Sequence, residues 1–174
     1  KVTVIVSFAE AAQTYTVQYI DEDTNEGLRD QEVKDAKYGD YITGKNEALE
    51  FEGYVFTRAT NLRVSEHNES NYVFVYYSKD ANGDDVPDKY QTTVVFGAVN
   101  GTIDGKTQVE KVVTLVDADG KWSKDGSYTL TEDDIPEAVA AAGYDQATKA
   151  WDAEPEGAVV DTKEDTKVTF IVSF

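Results

Sequence analysis

The octapeptide that opens the chain, Lys1-Val-Thr-Val-Ile-Val-Ser-Phe8, returns as Lys167-Val-Thr-Phe-Ile-Val-Ser-Phe174. Seven of the eight positions are identical, and the exception is Val4 against Phe170. Apolar side chains at every second position line one face of a pleat, so both copies read as strands. Residues 1–8 are therefore expected to be the terminal strand of a preceding repeat, within a tandem array. The distance between the copies makes the repeat a two-domain unit. An apolar strand without its sheet has an unpaired backbone edge. It is expected to pair with a sheet edge, in its own first domain or in a neighbouring molecule.

Between the copies lie two segments of similar outline, residues 9–79 and 91–174, joined by an acidic linker at 80–90. In the first, Thr14–Ile20 alternates as a strand and the turn-rich Asp21–Gly27 follows. Gln31–Ala36 is a weaker strand, Tyr41–Phe51 a middle stretch with room for a short helix, and Gly53–Phe56 and Tyr72–Tyr77 two further strands. The second segment opens with the β-branched runs Thr92–Phe96 and Gln108–Val116. Asp119-Gly120 and Asp125-Gly126 then mark tight turns around Trp122. A helix is expected over 132–142, with Thr131 or Asp133 as its cap, acids in its first turn and Gly143 at its end. Strands around Ala147–Trp151 and at Lys167–Phe174 complete the segment. The fold class is thus α+β and mostly β: two small β-grasp-like domains in tandem, with a clear helix only in the second.

Charge narrows the function. The chain carries 34 acidic against 16 basic residues, a net −18, which argues against nucleic acid because phosphate binding needs clustered Lys and Arg. No apolar run approaches the ~18 residues of a membrane span, so membrane insertion is not expected. With no cysteine there is neither a disulfide nor thiol chemistry. That is unusual for a small secreted animal module and suits a bacterial surface protein.

Several first-segment motifs carry a family resemblance: Tyr15-Thr-Val-Gln-Tyr-Ile-Asp-Glu-Asp23, Gly39-Asp-Tyr41, Phe51-Glu-Gly-Tyr-Val-Phe56 and Asn71-Tyr-Val-Phe-Val-Tyr-Tyr77. Over Thr14–Ser78 the chain resembles the MucBP (mucin-binding protein) repeats of Gram-positive cell-surface adhesins. The resemblance implies a β-grasp-like fold, a secreted, cell-wall-anchored parent, and contact with mucin or another host glycoprotein, although many such repeats are stalks. The second segment resembles repeats in surface proteins of gut Firmicutes, through a calcium-loop-like linker at Asp80–Tyr90 and the turn Val99-Asn-Gly-Thr102.

The linker holds the one chemically distinctive constellation. Calcium takes oxygen ligands, and EF-hand-type loops place them at positions 1, 3, 5, 7 (a carbonyl), 9 and 12. With Asp80 at the first position, Asn82, Asp84, the Val86 carbonyl, Asp88 and Gln91 fall on the rest. The departures are Asp85 at the sixth position, where glycine is usual, and neutral Gln91 at the last. Two readings stay open: a weak structural calcium site that rigidifies the junction, and a solvated acidic linker.

Other candidates are surface aromatics, since sugars stack on Tyr and Trp faces. Trp122, Tyr41 and Tyr77 are the residues expected to face a ligand, while Trp151 reads as core. Tyr15 with Tyr19, and Tyr72 with Tyr76, share faces by strand alternation. The core reading is favoured for both pairs, and an uncovered face stays open. His67 lacks partners for metal or catalytic work. The acidic pairs Asp21/Asp23, Asp133/Asp134 and Asp152/Glu154 are what so acidic a chain holds by chance. Lys111 and Asn100 are available for an intramolecular isopeptide bond if they meet. The expected function is non-enzymatic: a surface adhesin repeat contacting mucin or a host glycoprotein, with neighbouring repeats as partners. A pure stalk and an accessory domain of a large secreted enzyme are the alternatives.

Overall fold

Alternation decides most of the architecture. In the computed structural model, which describes residues 2–7, 9, 11–162 and 168–174, the chain divides into two units, Lys1–Pro87 and Asp88–Phe174. The first unit runs β1 (Gln13–Asp21), β2 (Glu26–Gly27), β3 (Glu32–Ala36), β4 (Tyr41–Ile42), β5 (Tyr54–Ala59), β6 (Leu62–Arg63) and β7 (Tyr72–Lys79). Its main sheet has β1 and β7 side by side and parallel, β3 antiparallel outside β1, and β5 antiparallel outside β7. Tyr15, Val17 and Tyr19 of β1 meet Val73, Val75 and Tyr77 of β7 on the inner face, all buried. Each fully buried Val contributes on the order of 1.5–3 kcal/mol relative to exposure. The inner face is covered by irregular chain that carries a 3-10 turn, Gly44–Glu47, and by Phe51. The Phe51 ring packs edge-on to Tyr19 at 5.7 Å and to Tyr77 at 5.0 Å.

The second unit repeats that plan. It comprises β8 (Gln91–Val99), β9 (Gly101–Ile103), β10 (Gln108–Thr114), β11 (Ser127–Thr129), β12 (Ala138–Ala140), β13 (Ala150–Trp151), β14 (Val159–Asp161) and β15 (Val168–Ser173). Again the first and last strands, β8 and β15, are parallel neighbours at the centre, flanked antiparallel by β10 and β13. Val94, Phe96, Val113, Phe170 and Val172 form the core with Ile103, Leu130, Ala138 and Val160. Two small ladders, β9–β12 and β11–β14, contribute Ile103, Ala138 and Val160 to that core.

The helix expected over 132–142 is absent, and no α-helix occurs among the described residues. Only a 3-10 turn, Glu132–Asp134, forms there. Pro136 is the physical reason, because its ring pushes the preceding residue out of the helical region. Ile135 accordingly sits at φ −91°, ψ 114°. Beyond it, Ala138–Ala140 pairs with β9 and buries Ala138, so ladder hydrogen bonds and burial override the helix preference of alanine.

The opening strand differs from expectation as well. Val2–Ser7 belongs to no strand and pairs with no sheet edge among the described residues. Its apolar side chains are exposed, Val2 at 91% and Ile5 at 88%. Lys1, Phe8 and Lys167 lie outside the described residues.

Candidate functional site

The sequence Tyr72-Val-Phe-Val-Tyr-Tyr77 sorts into two faces. Val73 and Val75 are fully buried and fix the register, so Tyr77 turns inward with them. Its hydroxyl donates to the Leu49 carbonyl and accepts from the Leu49 amide, both at 2.9 Å. Burial pushes the Tyr77 phenol above its usual range. Tyr77 is therefore core, contrary to the expectation that it faces a ligand. Tyr72 and Tyr76, expected inside, lie half-buried on the outer face. For Tyr15 and Tyr19 the core reading holds.

Tyr72, Phe74 and Tyr76 form an aromatic ladder along the outer side of β7. Tyr72 and Phe74 are stacked nearly parallel at 5.8 Å, and the Phe74 and Tyr76 rings are 6.5 Å apart. The Arg58 guanidinium lies 3.6 Å from the Tyr76 ring centroid, a cation–π contact that holds this half-buried ring in place. Register sets Thr16, Gln18 and Ile20 of β1 beside the three aromatics. A shallow depression of about 550 Å³ opens there, lined by Phe74, Tyr76, Gln18, Gln31, Asn25 and Arg29 among others. Gln18 donates to Gln31 at 2.9 Å, and Arg29 is ion-paired to Glu32 at 2.9 Å. The depression thus joins an aromatic floor to amide and guanidinium groups on its rim. Sequence reading missed it by placing Tyr76 inside. By composition the two adjacent tyrosines fit either register, and the burial of Val73 and Val75 in the fold leaves the larger rings outside.

Trp122 is half exposed, as expected. It stands after a tight loop in which the Asp117 carboxylate accepts from the amides of Asp119 and Lys121, with Gly120 at φ +76°. Tyr90 joins it, ring centroids 6.3 Å apart, to form a small open platform with Gly120 and Lys121. Tyr41 is also exposed, at 58%, with the Arg63 guanidinium 5.7 Å from its ring.

The acidic loop is wound around Asp80. That residue is buried, and its amide donates to the Gly53 carbonyl at 2.9 Å, which anchors the loop to the turn before β5. Its carboxylate accepts from the amides of Gly83, Asp84 and Asp85 at 2.8, 3.2 and 3.0 Å. Asp84 accepts from the Val86 amide at 3.0 Å and from the Asn82 side chain at 2.9 Å. Asp85, in the usual glycine position, takes φ +66°, the left-handed geometry that a short polar side chain tolerates. Asp80, Asn82, Asp84 and Val86 belong to the first unit, and Asp88 and Gln91 to the second. Among the described residues, no three Asp, Glu or His side chains converge closely enough to hold a metal ion.

The remaining candidates have structural occupations. Asp21 is buried and accepts from the amides of Asp23 and Thr24 and from the Tyr54 hydroxyl. Asp152 accepts from the amides of Ala153 and Ile171. Asp134 accepts from the Thr131 amide and hydroxyl, both at 2.8 Å, and from Tyr128, and it pairs with the Lys111 amine at 2.7 Å. Burial alone would raise the Asp134 pKa, but Lys111, Thr131 and Tyr128 outweigh it and hold the carboxyl well below the usual carboxylate range. Lys111 thus faces Asp134, while the Asn100 amide donates to the Phe174 carbonyl, so the isopeptide pair does not assemble. His67 is exposed beside Glu66 and Glu69.

No family model matches the chain, and no curated protein matches it. Among solved structures it is similar to the type 2 repeat of the mucus binding protein MUB from Lactobacillus reuteri, at 17% identity and a TM-score of 0.29. The match covers 92% of this chain and 97% of that one. A likeness at that score carries no weight for fold or function.

Proposed function

We propose that this chain is a non-enzymatic repeat pair of a bacterial cell-surface adhesin, and that its first unit contacts neutral glycan chains of mucin or another host glycoprotein. The observation that carries the reading is the Tyr72–Phe74–Tyr76 ladder bordering a shallow depression edged by Gln18, Gln31, Asn25 and Arg29. Sugars present apolar C–H faces that stack on aromatic rings and hydroxyls that suit amide and guanidinium partners. The net charge of −18 opposes sialylated or sulfated chains, which is why neutral sugars are favoured. The sequence resemblance to MucBP repeats points the same way. We read both units as β-grasp-like sheets in which irregular chain and small ladders replace the covering helix.

The test is a glycan and mucin array probed with the wild-type chain and with the Phe74→Ala and Gln18→Ala variants. Binding to neutral glycans that falls at least tenfold in both variants supports the proposal. Silence of the folded wild-type chain contradicts it.

A second reading, a stalk whose first unit carries a weak calcium loop, is favoured by the winding of that loop around Asp80 and by the left-handed Asp85. Of the expected ligands, Asp80, Asn82, Asp84 and the Val86 carbonyl, all in the first unit, would have to turn toward the ion, whose role would be structural. Millimolar calcium would then raise the melting temperature over that in EDTA, and equal melting temperatures would remove this reading.

A further inference from the structure

The exposed segment Val2–Ser7 and the buried strand β15, Val168–Ser173, share five of six residues. They differ only at Val4 and Phe170. In β15 the two inward residues are Phe170 and Val172, both buried, while Thr169, Ile171 and Ser173 point outward. The strand lies parallel to β8, with Val168 beside Val94 and Phe170 beside Phe96, and antiparallel to β13. Every feature that seats β15 except one ring is therefore present in Val2–Ser7. Among the described residues it makes no ladder with the first unit: β2, β3 and β5, the outer strands of that sheet, do not pair with it.

We propose that Val2–Ser7 is a donor strand whose binding site is the central slot of a second copy of the second unit, parallel to that copy's β8 and antiparallel to its β13. Val4 and Val6 then enter the core positions of Phe170 and Val172, and Thr3, Ile5 and Ser7 face outward. The backbone edges of β8 and β13 supply the ladder that the exposed segment lacks. The single difference sets the selectivity. The Phe170 ring stacks on Phe96 at a centroid distance of 5.8 Å, and valine leaves that ring volume empty. A large-to-small change of this kind weakens seating by about 10- to 100-fold. Each copy's own β15 therefore outcompetes the donor, and the donor enters only where that strand is absent or displaced. This inference does not depend on the glycan reading.

Two variants test it. In Phe170→Val, the C-terminal strand becomes identical to Val2–Ser7 within the full chain. The second unit is expected to stay folded, with its unfolding constant raised about 10- to 100-fold. Loss of its folded tryptophan signal in buffer would overturn the proposal, because the donor sequence would then be unable to hold the slot. In the second variant the chain stops after residue 166 and is mixed with synthetic peptides. The peptide of residues 1–8 is expected to bind and restore the tryptophan signal, and the same peptide carrying Val4→Phe is expected to bind about 10- to 100-fold more tightly. Uptake of the 167–174 peptide without any uptake of the 1–8 peptide would overturn the proposal. If the shortened chain takes up neither, Phe170→Val decides alone.

Discussion

Replacing Asp134 by alanine is expected to destabilise the second unit by about 2 kcal/mol at neutral pH. The figure follows from what the carboxylate holds. It closes the turn at Glu132–Asp134 by accepting from the Thr131 amide and hydroxyl, a cap worth about 1 kcal/mol. Its removal also leaves the half-buried Tyr128 hydroxyl without its acceptor, at about 1 kcal/mol. The Lys111 side chain is 38% exposed and regains water when its partner leaves, so the full cost of a broken buried pair, about 3–5 kcal/mol, is not reached. The pH dependence has a definite sign. A depressed folded-state pKa gives stabilisation that is complete above the unfolded value, about 3.9, and lost as pH falls through the folded one. The gap between wild type and Asp134→Ala should stay constant from neutral pH down to about 5 and narrow below about 4. Urea unfolding followed by tryptophan fluorescence reads this directly, because both tryptophans, Trp122 and Trp151, lie in the second unit. A cost below about 1 kcal/mol, or a gap unchanged at pH 3, would refute the reasoning.

Tyr77→Phe removes both hydrogen bonds to Leu49 while keeping the ring, and should lower first-unit stability by about 1–2 kcal/mol in thermal unfolding. Tyr76→Phe should leave it within about 0.5 kcal/mol, since that ring is on the outer face; equal costs for the two would contradict the assigned faces. Gly126→Ala places a Cβ 2.5 Å from the Val116 carbonyl oxygen, which is backbone and cannot yield cheaply. A loss of about 1–3 kcal/mol from the second unit is expected in the same urea assay, and a neutral result would mean that the Val116–Ser127 bridge is looser than described.

Strands with strict alternation were legible, and the assignments from sequence at Thr14–Ile20, Thr92–Phe96 and Tyr72–Tyr77 fall within β1, β8 and β7. So was the repeated plan of a first and a last strong strand in each segment. What failed was decided by one proline and by tertiary context. The acidic, alanine-rich stretch after Thr131 has the cap, acids and alanines of a helix, yet Pro136 stops it after one turn and the β9 edge captures Ala138–Ala140. For the site, exposure of Trp122 was readable from the turn residues around it, and Tyr41 is exposed as expected. The inward turn of Tyr77 and the outward one of Tyr76 were not, because two adjacent tyrosines fit either register by composition. Only the pairing of Val73 with Val17 in β1 settles which one is buried. Tyr90 was missed for a different reason: it lies 32 positions from Trp122 in sequence, and the fold alone brings the rings together.

The glycan reading stands on one face of one sheet, and nuclear magnetic resonance on the labelled chain tests it residue by residue. Titration with a neutral mucin-type glycopeptide is expected to shift the side-chain amides of Gln18 and Gln31 and the backbone amides of Phe74 and Tyr76, leaving the inward Val75 and the buried Leu130 unmoved. Saturable shifts confined to other surfaces, or none at millimolar ligand, would contradict the account.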